Sequence, residues 1–211
     1  MPMSSEHQEA EREIRQQEHQ RILGIVPEFN ITNLQHAAKL SPGEKFRLAF
    51  KSATDPFTFL AAGVDAGINQ WDNDFAGYGQ GTQGYAKRFG AAYVDSFDGT
   101  ILGNAFFPLL FHQDPRYFRK GTGSVGSRLL YAALSTFRAK SDNGRWQPNF
   151  SNILGNLAAG GISNLYYPQS DRGATLTIQR GITVSLEGAL GAIGSEFWPD
   201  VARRLRRKHQ P

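Results

Sequence analysis

The sequence predicts a mainly α fold, a single domain of close-packed, glycine-rich helices. Three observations carry that expectation. Apolar residues recur at helical spacing along most of the 211 residues. Capping signals open several of those segments. The 23 glycines fall largely inside the apolar runs, where small residues let helix backbones approach closely. With 15 phenylalanines, aromatic rings rather than leucine are expected to fill the core. The length suits one domain with its own core.

Residues 1–22 read as a polar N-terminal tail. Residues 6–21 mix both charges with glutamine and show no apolar stripe, which predicts a frayed or solvent-exposed helix. The helical domain, 23–196, begins with an extended, proline-broken lead-in, LGIVPEFNITN. Ser41-Pro42-Gly43-Glu44 then opens the first helix, with Ser41 as N-cap, Pro42 in the first turn and Glu44 at capping-box spacing. Its apolar face is Phe46, Leu48, Ala49 and Phe50. Thr54-Asp55-Pro56 stops that helix and starts another, with Phe57, Leu60, Ala61, Val64 and Ile68 on one side.

Residues 71–83 form a loop rich in Asp, Asn and Gly. The central stretch 84–119 follows, a glycine- and alanine-rich helix that bends before Pro108 and ends in the polar knot His112-Gln113-Asp114-Pro115-Arg116-Tyr117. The turn KGTGSVG leads to a helix over 127–139 carrying Leu129, Leu130, Ala133, Leu134 and Phe137, and Ser141-Asp142-Asn143-Gly144 is a turn. A further glycine-rich helix covers 150–167 and stops at Pro168.

Residues 175–186 fit two periods. Leu176, Ile178, Ile182, Val184 and Leu186 alternate as a short β segment would, while Ile178, Ile182 and Leu186 step by four as in a helix. Gly188, Gly191 and Gly194 continue the small-residue spacing and favour helix. Phe197-Trp198-Pro199 ends it, leaving 197–211 as an amphipathic basic C-terminal helix. Ile101-Leu102-Gly103-Asn104 recurs as Ile153-Leu154-Gly155-Asn156, the mark of either a degenerate helical repeat or a biased composition.

Composition narrows the chemistry. The absence of cysteine excludes disulfides, cysteine catalysis and thiolate metal sites. The N-terminus lacks the basic-then-apolar pattern of a signal peptide, and no stretch is apolar and long enough to span lipid alone. A formal net charge of +4 matters less than its placement, with Arg203, Arg204, Arg206, Arg207 and Lys208 clustered at the end.

Four side chains of the polar knot are the candidate catalytic set: His112 and Asp114 to share a proton, Arg116 to hold an anion and Tyr117 beside them. The same residues could instead satisfy the carbonyls of a helix end. Arg119, Lys120, Gly121, Gly123, Ser124 and Arg128 surround a glycine turn at a helix start, either a plain helix-opening turn with solvated bases or a candidate site for a phosphate or sulfate. Gly79-Gly81-Gly84 and Gly121-Gly123-Gly126 match the dinucleotide glycine spacing, but neither follows a strand, so no dinucleotide or other cofactor is expected. No metal is expected either, since His112 has no second histidine at ligand spacing. Asp95 and Asp98, with Asp65, Glu187 and Glu196 in comparable settings, could form an acid/base pair but are expected instead to pair with Arg88, Arg128, Arg138 or Arg180 between helices, because a buried unpaired charge is costly. Phe197 and Trp198, opposite Arg203, Arg204, Arg206 and Arg207, have the composition of an interfacial membrane anchor.

The segments GYGQGTQGYAKRFGAAY, LLFHQDPRYFRKG, FSNILGNLAAGGISNLYYP and EFWPD together resemble an uncharacterised bacterial family whose members often look exported. The resemblance covers most of the chain after about residue 21. It implies a cell-envelope location, periplasmic or membrane-associated, and transfers no functional residue. These readings converge on a non-enzymatic, envelope or membrane-surface-associated structural protein that self-assembles as a homo-oligomer on anionic membrane lipid. The alternatives are a hydrolase or anion-handling enzyme centred on His112, Asp114 and Arg116, and nucleic-acid binding through the basic C-terminus, for which one basic helix without interleaved aromatics is a poor footprint.

Overall fold

Local chemistry sets where the helices begin. In the computed structural model, which describes residues 5–22, 26–34 and 37–208, the main helices are α1 (Ser5–Gln17), α2 (Pro42–Ala53), α3 (Pro56–Trp71), α4 (Gly81–Ile101), α5 (Phe107–Leu110), α6 (Val125–Leu134), α7 (Phe150–Ser163) and α8 (Ala174–Lys208). The fold is therefore mainly α, as the periodicity predicts. The Ser41 side chain accepts from the Glu44 amide while the Ser41 amide donates to Glu44 Oε2 at 2.6 Å, completing the capping box of α2. Asp55 caps α3, Ser124 caps α6 and Asn149 caps α7, each by accepting from an amide of the first turn.

Three short pairings join the helices. Strand β1 (Arg21–Ile22) lies antiparallel to β2 (Val26–Pro27), and β3 (Ile31–Thr32) lies parallel to β4 (Tyr117–Phe118). Strands β5 (Arg138–Lys140) and β6 (Trp146–Pro148) form a hairpin closed by the turn at Ser141–Gly144, where Gly144 takes a positive φ. None of these strands shows a long alternating pattern. The segment that does alternate, 175–186, lies inside α8, so the helical reading of it holds.

The bend before Pro108 is a π-turn, Leu102–Phe106, between α4 and α5. It sits where the two copies of the repeated tetrapeptide cross. A Cβ on Gly155 would lie 2.8 Å from the Gly103 Cα, so the helices meet there backbone to backbone. Gly160 is as tightly placed, since its Cβ would stand 2.4 Å from the Thr177 carbonyl oxygen of α8. Gly188, Gly191 and Gly194 differ: a Cβ on any of them meets nothing within 4 Å. They do not serve helix contact.

The apolar stripes are where the sequence places them, but they face outward. On α3 the buried residues are Ala62 and Ala66, while Leu60 and Val64 are each 64% exposed and Trp71 is 90% exposed. On α6 the buried pair is Arg128 and Ala132, with Leu129, Leu130, Leu134 and the following Phe137 outside. On α8, Ile178, Ile182, Leu186 and Leu190 form an exposed row. Phe46 and Phe50 of α2 are also exposed, and only Leu48 and Ala49 of that expected face are buried. The expected aromatic core is thus corrected. Alanine, glycine and polar side chains fill most of the interior, with Arg88, Asp95, Gln113, Arg116 and Glu196 all deeply buried.

The N-terminal segment differs from its reading as an exposed tail. Ala10 and Ile14 of α1 are fully buried with Phe29, Leu40 and Leu48. Arg47 reaches back to Glu18 at 2.8 Å, which fixes the outer side of the same contact. Two apolar residues one turn apart suffice to dock a helix, which is too narrow a stripe to stand out from its charged neighbours. The predicted helix end at Phe197-Trp198-Pro199 is corrected as well, because α8 runs through Pro199 without a break. Proline removes one helix donor there, and guanidinium donors stand beside the gap: Arg119 Nε and Arg128 Nη2 both reach the Glu196 carbonyl, at 2.8 and 2.6 Å.

Candidate functional site

The glycine turn at 119–128 does hold an anion, but the anion belongs to the chain. Glu196, wholly out of solvent, extends its carboxylate from α8 into that turn. Oε1 accepts from the Gly121 amide and from Arg128 Nε, both at 2.8 Å. Oε2 accepts from the Lys120 amide at 2.9 Å and the Tyr117 hydroxyl at 2.8 Å. Asp200, one turn on, pairs with Arg128 Nη1 at 2.6 Å and faces Arg119 at 3.5 Å. Burial opposes ionisation of Glu196, yet the donors from Arg128, Tyr117 and the two amides outweigh it and hold the carboxyl below its usual range. Burial and the same carboxylate push the Tyr117 phenol well above its own. The candidate phosphate or sulfate site at Arg119, Lys120, Gly121, Gly123, Ser124 and Arg128 is therefore corrected: Lys120, Gly121 and Arg128 hold the chain's own Glu196 carboxylate, and Ser124 caps α6.

The four candidate catalytic residues are not gathered into one constellation. His112 is exposed, sits at the end of α5 with φ +52, and its imidazole makes no hydrogen bond with a described residue. Its carbonyl accepts from the Asp142 amide at 2.8 Å, the role of a helix-end residue. Asp114 turns away from it to Arg116. Arg116 Nη2 meets Asp114 Oδ2 at 2.7 Å, Nη1 meets Glu13 Oε2 at 2.8 Å, and Nη2 also reaches the Ala38 carbonyl at 2.6 Å. The candidate proton sharing between His112 and Asp114 is not formed; Asp114, Arg116 and Glu13 make a buried ion triad that ties α1 to this turn instead, in line with the structural alternative for the knot. Tyr117 belongs to the Glu196 centre. Gln113, passed over in the sequence, is fully buried and accepts from the Ser151 hydroxyl and amide at 2.6 and 2.9 Å. Lys45 is nearly as buried and donates to Asp142 at 2.7 Å and to the Gln113 carbonyl at 2.8 Å.

A third polar centre joins α4, α7 and α8. Asp95 Oδ1 accepts from the Ser163 and Tyr166 hydroxyls at 2.5 and 2.6 Å, and Oδ2 from the Tyr167 hydroxyl and Arg180 Nη2 at 2.6 and 2.8 Å. The interhelical pairing expected of Asp95 and Glu196 is present, to Arg180 and Arg128. Asp65 instead accepts from Asn69, and Arg88 serves carbonyls rather than an acid, binding those of Asp74 and Gly79 at 2.6 Å each. Burial raises Asp65 and Asp98 above the usual carboxylate range.

An open cavity of about 220 Å³ lies between the π-turn, the β5–β6 hairpin and α8. Asp114, Arg116 and Tyr117 contribute to one wall and Tyr131 and Trp146 to another, with Gly188 and Gly191 on the α8 side. Two of the four carboxamides that line it are engaged, Asn149 and Asn152 donating to the Ser135 and Thr136 carbonyls. Asn30 and Asn104 are not. Neither side chain bonds to a described residue, and Asn30 Oδ1 is shielded from solvent. Among the described residues no group of three or more histidine, aspartate or glutamate side chains could hold a metal ion.

The C-terminal anchor residues are partly committed to the fold. Phe197 lies beneath the Arg128 guanidinium, 4.5 Å from its ring centre, and Trp198 is half-buried. Arg203 pairs with Asp200 and is exposed, as is Arg204, while the side chains of Arg206 and Arg207 lie outside the described residues. No helix among the described residues is long and apolar enough to cross a membrane. Comparison with models of known protein families, with curated proteins and with solved structures finds no match.

Proposed function

We propose that the protein is a non-enzymatic structural protein of the cell envelope that works at a membrane surface, its apolar helix faces against anionic lipid. The observation that carries this reading is the outward direction of the large apolar side chains on α3, α6 and α8. Burying one such side chain is worth roughly 1.5–3 kcal/mol, and the fold leaves that stabilisation unused along three helices. Exposed apolar rows with charged pairs turned inward are the distribution suited to lipid contact. Arg203 and Arg204 add the positive charge that an anionic leaflet attracts, at about 1 kcal/mol per basic residue. Self-assembly on that surface would cover the faces turned away from lipid.

Flotation of the purified chain with anionic and with neutral vesicles tests the reading. The expected result is binding to both, stronger to anionic vesicles and reduced by salt, with the double substitution Arg203→Glu and Arg204→Glu removing the salt-sensitive part. A chain that floats with neither vesicle overturns it.

A further inference from the structure

The geometry points to the cavity between the π-turn, the β5–β6 hairpin and α8 as a binding site for a small, neutral, polyhydroxylated molecule the size of one sugar ring. Its glycines supply the first reason. Gly188 and Gly191 stand inside α8, where glycine is costly relative to alanine, and no neighbour requires them, since a Cβ on either meets nothing within 4 Å. What they provide is room on the cavity wall. The second reason is the pair of unengaged carboxamides. Asn104 is brought to the wall by the π-turn, a distortion frequent at functional sites. Asn30 lines the same space; its Oδ1 is enclosed and unpartnered, which leaves its Nδ2 amide as the group a ligand can meet. A carboxamide offers a donor and an acceptor together, the complement of a hydroxyl group.

The charges on the wall argue for a neutral ligand. Arg116 is taken by Asp114 and Glu13, and Arg138 lies over the Trp146 ring, 4.2 Å from its centre. Trp146 and Tyr131, 6.0 Å apart and edge to face, add apolar surface beside the Arg138 guanidinium that lies over both rings. The volume, about 220 Å³, falls below the roughly 300–1,000 Å³ of pockets for larger ligands. This site is independent of membrane association.

Saturation-transfer NMR and Trp146 fluorescence with glucose, N-acetylglucosamine and glucuronate as probes test the inference. Saturable binding of either neutral sugar is expected. Gly191→Leu, which fills the cavity, and Asn104→Leu, which removes the carboxamide, should each weaken it roughly tenfold or more, as loss of a buried hydrogen-bonded contact implies. Gly194→Leu, on the same helix but off the cavity wall, should bind as the unmodified chain does, which separates a blocked site from a damaged helix. Absence of saturable binding of both neutral sugars to the unmodified chain, preference for glucuronate, or equal binding by all three variants overturns the inference.

Discussion

Arg128 Nε and Glu196 Oε1 meet at 2.8 Å between α6 and α8, with the carboxylate entirely out of solvent. That contact ties a turn, a helix start and the helix around Pro199 into one unit, because the same carboxylate also holds the Lys120 and Gly121 amides. A site composed to bind an anion is thereby closed by an anion from the same chain, and its role is structural.

Removing that anion should be costly. Glu196→Ala leaves a buried guanidinium and two amides without their acceptor, and breaking such a pair costs about 3–5 kcal/mol. Urea unfolding of the variant should show that loss, with Glu196→Gln falling between it and the unmodified chain. A loss under about 1 kcal/mol, the size of an exposed pair, would place the contact at the surface instead.

The same residue fixes an acid dependence. Its folded-state pKa lies below the ordinary carboxyl value of about 4.3. The stabilisation it contributes is therefore present above that value and is lost as pH falls through the folded-state pKa. Asp65 and Asp98, raised by burial, act with the opposite sign: their contribution is lost as pH rises through their folded-state values. Stability measured from neutral pH downward should fall more steeply for the unmodified chain than for Glu196→Gln. Parallel curves would remove Glu196 as a source of the acid limb.

Two neighbouring glycines should respond oppositely to alanine. Gly161 has open space where a Cβ would stand, so Gly161→Ala should stabilise α7 by about 0.5–1 kcal/mol. Gly160→Ala would drive a methyl onto the Thr177 carbonyl and should destabilise by about 1–3 kcal/mol as an overpacked contact. Thermal melts of the two variants, compared in one buffer, read both signs.

Much of the local structure was legible in the sequence, because caps and turns act over a few residues. Ser41, Asp55 and the Ser141–Gly144 turn all perform the roles their chemistry implies. The direction of the stripes was not legible. A periodic row such as Leu60, Val64 and Ile68 identifies a helix face, but nothing in the row says whether protein, lipid or water lies against it. The acid partners Arg128 and Arg180 were legible as charges that burial would force to pair, whereas the buried roles of Lys45 and Gln113 were not, since each depends on groups far along the chain. The sequence offered two readings of the polar knot, a catalytic set or the polar partners of a helix end; at the left-handed turn of His112 the backbone carbonyl accepts from the Asp142 amide, while Asp114 is turned to Arg116.

The outward stripe of α3 offers the most direct measurement. The triple substitution Leu60→Asn, Val64→Asn and Ile68→Asn should leave the unfolding midpoint of the lipid-free chain nearly unchanged, since these side chains bury little within the fold, while reducing flotation with neutral vesicles. Unfolding of the variant with flotation retained would show that this face is core and would contradict the account.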